Sequence, residues 1–150
     1  MNTEQYRCLR ILHVEDNVGD VRLIGEALRE TGRDHEIAVA LDGVEALDYL
    51  YRRGRFADAW CPELILLDLN LPKKGGLEVL AEINADKELR QIPVVVLTSS
   101  SAPQDISRAY ALNVSSYITK PADLSELFNM VGELEKYWAN GAKPPPRPGV

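Results

Sequence analysis

The chain contains only two cysteines, Cys8 and Cys61, far apart in sequence. That is too few for a disulfide scaffold or a zinc site, so both are expected as free thiols. No apolar run approaches the roughly 18 residues that a membrane span requires. The opening stretch, Met1 to Arg10, is polar and lacks the apolar core of a signal peptide. Positive charge is also scarce: 17 Lys and Arg stand against 23 Asp and Glu, for a formal net charge of −6. Non-specific nucleic-acid binding needs clustered cations, so that class is excluded along with membrane insertion. What is present is ordinary for a globular protein: 45% hydrophobic and 27% charged residues over 150 positions, enough for one core. The expectation is a cytoplasmic chain with one folded domain, 1–138, and a tail, 139–150. Pro144, Pro145, Pro146, Pro148 and two glycines stop that tail from continuing a helix, and it is expected to be extended or disordered. No output domain is expected.

Five short apolar runs divide the chain: Leu9–Val14, Ile37–Leu41, Leu64–Leu67, Val94–Leu97 and Tyr117–Ile118. The third and fourth are nearly continuous aliphatic runs, which suit strands buried on both faces. Helical spacing fills the intervals. Val21, Ile24 and Leu28 share one face, with Gly32 as the expected C-cap. Val44, Leu47 and Leu50 follow an Asp42-Gly43 turn. Leu77, Leu80 and Ile83 mark a third helix, and Ile106, Ala109 and Tyr110 a fourth. Leu124, Leu127, Phe128, Val131 and Leu134 form the strongest stripe, a fifth helix. Five alternations of strand and helix predict a doubly wound α/β domain with a parallel sheet.

Ligands of such sheets bind outside the carboxyl ends of the strands. Glu15 and Asp16 follow the first strand, and Asp68 ends the third. Thr98 ends the fourth, ahead of Ser99, Ser100 and Ser101. Lys120 and Pro121 follow the fifth. Each is unremarkable alone. A Glu-Asp pair is usually a solvated turn, a strand-end Thr usually caps the next helix, and Lys-Pro is usually loop. Together they gather three carboxylates, a hydroxyl and an amine on one edge. Two like charges about 4 Å apart repel by around 4 kcal/mol at an effective dielectric near 20, so the cluster calls for a cation. Mg²⁺ fits, because it takes a few carboxylate oxygens, keeps water and bridges to phosphate.

In order and spacing, Glu15-Asp16, Asp68, Thr98 and Lys120-Pro121 resemble the receiver domain of bacterial two-component response regulators, over about Arg10 to Tyr137. Val14-Glu15-Asp16-Asn17, the stretch Leu67 to Gly76 and the insertion Tyr51 to Phe56 are similar to small stand-alone receivers that partner phytochrome-type histidine kinases. The resemblance implies a flavodoxin-like (βα)5 fold with strand order 2-1-3-4-5. It implies that Asp68 accepts a phosphoryl group from a sensor histidine kinase in a phosphorelay. It also implies that Glu15, Asp16, Asp68 and the backbone carbonyl of Asn70 hold Mg²⁺ or Mn²⁺. Lys120 would contact the phosphoryl group, Thr98 would be the switch hydroxyl and Tyr117 an aromatic switch. The Lys120–Pro121 bond would be cis, and Gly75 or Gly76 would allow the turn after strand three.

Output would pass through the face built from the fourth helix, fifth strand and fifth helix, to a downstream protein or a phosphotransfer protein. The same face could support a homodimer, with Tyr137 and Trp138 contributing. The chain would not be an enzyme on external substrates, although it would assist its own phosphotransfer and autodephosphorylation. An aspartyl-phosphate phosphatase needs an acid two residues after the nucleophile, and here that residue is Asn70, whose carboxamide cannot protonate a leaving group. An unphosphorylated interaction module is the other alternative. His13 is expected to be structural, within its strand, and His35 to be solvated in a polar loop.

Overall fold

The computed structural model describes residues 7–140; the tail beyond Asn140 and the first six residues lie outside this range. Strand and helix alternate throughout: β1 (Arg10–Val14), α1 (Val18–Arg29), β2 (Glu36–Ala40), α2 (Gly43–Leu50), β3 (Leu64–Leu67), α3 (Gly76–Ala85), β4 (Val94–Thr98), α4 (Pro103–Ala111), β5 (Ser116–Thr119) and α5 (Leu124–Ala139). All strand pairs are parallel, in the order β2-β1-β3-β4-β5. The sequence expectation of a five-stranded, doubly wound sheet in this order is met. Among the described residues, no helix is long and apolar enough to cross a membrane.

The period of two along each strand divides the core. Leu12, Val14, Ile65, Leu67, Val94 and Val96 face a layer with Leu47 of α2, Val79, Leu80 and Ile83 of α3, and Ala109 of α4. Leu9, Ile11, Leu64, Leu66, Val95 and Leu97 face the opposite layer, with Ile24 and Leu28 of α1 and Leu127 and Val131 of α5. β3 and β4 therefore have no solvent face, which explains their continuous aliphatic runs. His13 continues the Leu9–Ile11 alternation and is buried, as expected of a structural histidine.

Several local expectations are corrected. Glu30 caps α1, and Gly32 lies two residues further on with φ +85°, so it serves the following turn instead. Asp42 is the N-cap of α2, its carboxylate accepting from the Glu45 N–H at 2.7 Å. Leu124 stands 56% exposed outside the α5 stripe, while Glu135 and Trp138 lie inside it. Tyr137 and Trp138 therefore do not form a shared surface pair: Trp138 belongs to the core and Tyr137 packs edge-on against it from outside.

His35 is not solvated. Its Nδ1 accepts the Leu9 N–H at 2.9 Å, and its Nε2 meets Glu135 at 2.7 Å. Arg33 grips both oxygens of the same carboxylate at 2.5 Å. Hydropathy marks His35 as a loop residue, but its ring completes a buried ion cluster that ties α5 to the start of β1. Burial would raise the Glu135 pKa; the hydrogen bonds from Arg33 and His35 outweigh it and hold the carboxylate below its ordinary range.

Candidate functional site

The strand register aligns the carboxyl ends of β1, β3, β4 and β5 on one edge: Val14 pairs with Leu67, Leu67 with Val96, and Thr98 with Thr119. Glu15 follows β1, Asp68 follows β3 and Lys120 follows β5, while Thr98 is itself the last residue of β4. Glu15 continues the ladder through its N–H to the Ala40 carbonyl (2.9 Å), and Asp68 does so through its N–H to the Val14 carbonyl (3.0 Å). Lys120 donates its N–H to the Thr98 carbonyl at 2.7 Å, so it leaves the sheet beside the site.

One carboxylate oxygen from each of Glu15, Asp16 and Asp68 lies within 4.8 Å of the other two. Glu15 and Asp68 are buried, whereas Asp16 is open to solvent. The Lys120 Nζ reaches Glu15 at 2.7 Å, Asp20 at 2.8 Å and Asp68 at 3.1 Å. One ammonium cannot offset this many carboxylates. Burial chiefly, then the Asp68 charge, pushes the Glu15 pKa up to about 7, with Lys120 acting against the rise. Burial also acts to raise Asp68. Its hydrogen bonds with the Thr98 hydroxyl, the Asn70 N–H (3.1 Å) and Glu15, with the Lys120 charge, outweigh that and hold it below the ordinary aspartate value. Burial would lower Lys120, but hydrogen bonds to Asp20 and Glu15, with the Glu15 charge, keep its pKa above the usual lysine value. Burial, then the Lys120 charge, depresses His13 to about 4, so it is neutral here. The result is an ionised, buried carboxylate at Asp68 inside a surplus of negative charge. A hard divalent cation with a preference for oxygen fits this donor set, because its charge removes the repulsion and its open positions accept further oxygen atoms.

The loop after β3 is shaped by close approach. A Cβ at Gly76 would stand 2.3 Å from the Asp68 carbonyl oxygen, and one at Gly43 would stand 1.9 Å from that of Lys74. The left-handed residue in this loop is Lys73, φ +68°, not Gly75 or Gly76. Gly76 is therefore required by packing against the Asp68 backbone, and neither glycine supplies the turn's positive φ.

Thr98 is fully buried and accepts weakly from the Ser100 N–H at 3.4 Å. Tyr117 is half-buried, and its hydroxyl donates to the Ser100 carbonyl at 2.8 Å. The expected cis bond at Pro121 is not found: among the described residues every peptide bond is trans. The Lys120 backbone is already held at the sheet edge by Thr98, so the long side chain reaches the carboxylates without a cis turn. Asp20 was missed by sequence reasoning, which looked only at strand ends. Its signal was an Asp three residues after the Asn17 cap, whose side chain accepts the Asp20 N–H at 3.0 Å.

A parallel sheet that reverses its winding between β1 and β3, with its acidic cluster at that point, is the architecture of a receiver domain. Residues 11–132 match the family model for the response regulator receiver domain, and the chain belongs to that family. It is similar to response regulator Rcp1 of Synechocystis sp., at 47% identity over 85% of this chain and 87% of that one. Among solved structures it resembles the phosphorylated cyanobacterial phytochrome response regulator RcpA (50% identity, TM-score 0.87, covering 93% of this chain and all of that one). It also resembles the Mn²⁺-bound form of Rcp1 (44% identity, TM-score 0.86, covering 92% and 99%). The chain is thus a response regulator receiver related to phytochrome response regulators.

Proposed function

We propose that this chain acts as a stand-alone receiver: Asp68 takes a phosphoryl group from a phytochrome-type sensor histidine kinase and signals through protein contacts or onward transfer. The observation that carries this reading is Asp68 itself, a buried carboxylate kept ionised, with an ammonium 3.1 Å away and two further carboxylates beside it.

An Asp68 oxygen attacks phosphorus in line. The new O–P bond forms an acyl phosphate as the P–N bond of the kinase phosphohistidine breaks, and the leaving imidazole takes up a proton. Glu15, Asp16, Asp68 and the Asn70 carbonyl would hold Mg²⁺ or Mn²⁺, which supplies charge neutralisation on the transferring group. Lys120 adds a fixed positive charge toward the same oxygens, so positioning and electrostatics carry the step. Thr98 turns its hydroxyl from Asp68 toward the phosphoryl group. Tyr117, tethered to the Ser100 carbonyl in the loop that follows Thr98, responds to that movement and alters the α4–β5–α5 face. Loss of the phosphoryl group to water in the same site resets the protein. The α4–β5–α5 face also offers a homodimer contact, to which Tyr137 contributes at the end of α5. The receiver fold runs to the end of α5 at Ala139, one residue past the expected boundary.

Relatedness to phytochrome response regulators supports the choice of kinase. The test is incubation with acetyl phosphate or a phosphorylated phytochrome-type kinase in the presence of Mg²⁺. Label on wild type that disappears in Asp68→Asn and on chelation is the expected result. Label that persists in Asp68→Asn would remove the assignment, and no label from either donor would favour an unphosphorylated interaction module.

A further inference from the structure

The Lys120 ammonium has three N–H donors, and three carboxylates use them: Glu15, Asp20 and Asp68. Two of the three belong to the cluster suited to a cation; Asp20 does not. It stands on α1, in the first helical turn, where the partial positive charge of the helix N-terminus favours an anion. Its side chain is 33% exposed against 7% for Asp68 and 1% for Glu15, so it meets Lys120 from the solvent side of the crevice. A short relay fixes it there: Glu15 accepts the Asn17 N–H at 3.2 Å, and Asn17 accepts the Asp20 N–H at 3.0 Å.

We propose that Asp20 is a positioning residue for phosphoryl transfer, drawing the Lys120 ammonium toward the mouth of the site so that its donors are shared among Asp20, Glu15 and Asp68 and not committed to the two buried carboxylates alone. This rests on the phosphoacceptor reading above. Without Asp20, the two buried carboxylates draw the ammonium inward. Its existing 3.1 Å contact with Asp68 then tightens, and it no longer faces the place where phosphoryl oxygens arrive. A charge within hydrogen-bonding distance of the nucleophile is sensitive to such displacement, because electrostatic stabilisation depends on preorganised geometry.

The test uses the full chain. In metal-free protein with ¹⁵N-labelled lysine, wild type should give a slowly exchanging Lys120 ammonium resonance, and Asp20→Asn should broaden or shift it. At saturating Mg²⁺, Asp20→Asn should lower the maximal rate of labelling by acetyl phosphate by about tenfold, and Asp20→Glu should recover most of that loss. An unchanged maximal rate would overturn the proposal. So would a slowed Asp20→Asn variant whose ammonium signal is unaltered, since that pattern assigns the effect to the lost negative charge at the helix N-terminus; a loss that Asp20→Glu does not recover would also overturn it, because a carboxylate at this position can still reach the ammonium. Wild type that takes no label on Asp68 would instead be a failure of the phosphoacceptor reading.

Discussion

Gly76 and Asp68 are in backbone contact: a Cβ on Gly76 would stand 2.3 Å from the Asp68 carbonyl oxygen and 2.5 Å from the Leu69 Cα. The phosphoacceptor loop is therefore shaped by the helix that follows it. Gly76→Ala should push the loop outward, costing about 1–3 kcal/mol by overpacking and slowing labelling of Asp68. Gly75→Ala, whose Cβ would meet nothing closer than 3.9 Å, should lose no more than about 1 kcal/mol as an altered N-cap. Urea unfolding of the two variants checks the contrast; equal losses would refute it.

Lys120→Ala removes the ammonium and leaves Glu15 and Asp68 buried without it. An uncompensated buried charge costs on the order of 3–5 kcal/mol. Part of this should return with Mg²⁺, so the metal-induced rise in melting temperature should exceed that of wild type. The variant should still bind Mg²⁺ yet accept a phosphoryl group slowly. Thermal melts with and without Mg²⁺, beside a labelling time course, measure both.

Glu15→Gln keeps the shape and a hydrogen-bond acceptor for Lys120 while deleting a carboxylate that burial disfavours. Metal-free protein should become more stable by about 1 kcal/mol, as often follows when a functional site loses strained charge. Mg²⁺ titration should show weaker binding than wild type. A variant both less stable and equally metal-bound would contradict the account of the acidic cluster.

Glu135 carries the pH dependence of the opposite end of the molecule. Its folded pKa lies below the ordinary glutamate value of 4.5. A depressed carboxylate contributes stability that is fully present above the unfolded value and is lost as pH falls through the folded one. Glu135→Gln leaves Arg33 and His35 without their anion and should cost about 3 kcal/mol at pH 7. Its stability should then fall less steeply than wild type below pH 4.5. Urea midpoints between pH 7 and pH 3 give both quantities.

The alternation of apolar runs was enough to read the sheet, because strands buried on both faces leave an unbroken aliphatic signature such as Leu64–Leu67. The chemistry at the strand ends was legible for a related reason: in a parallel sheet, residues that follow successive strands must meet on one edge. Glu15, Asp68, Thr98 and Lys120 were therefore found from order alone. Three features were not. Asp20 and His35 lie outside strand ends, and their partners, Lys120 and Glu135, are distant in sequence. Glu135 reads as a polar residue on an amphipathic helix until Arg33 and His35 are brought to it.

The sequence by itself determined the periodicity, the five alternating elements and the residue types gathered at one edge. These follow from local geometry and from the requirement to bury apolar surface. Only the tertiary structure decided which carboxylates share the Lys120 ammonium, why Gly76 must lack a side chain, and where the buried charge of Glu135 finds its partners. Those depend on distances between elements, which are set when the layers pack and not by any run of neighbouring residues.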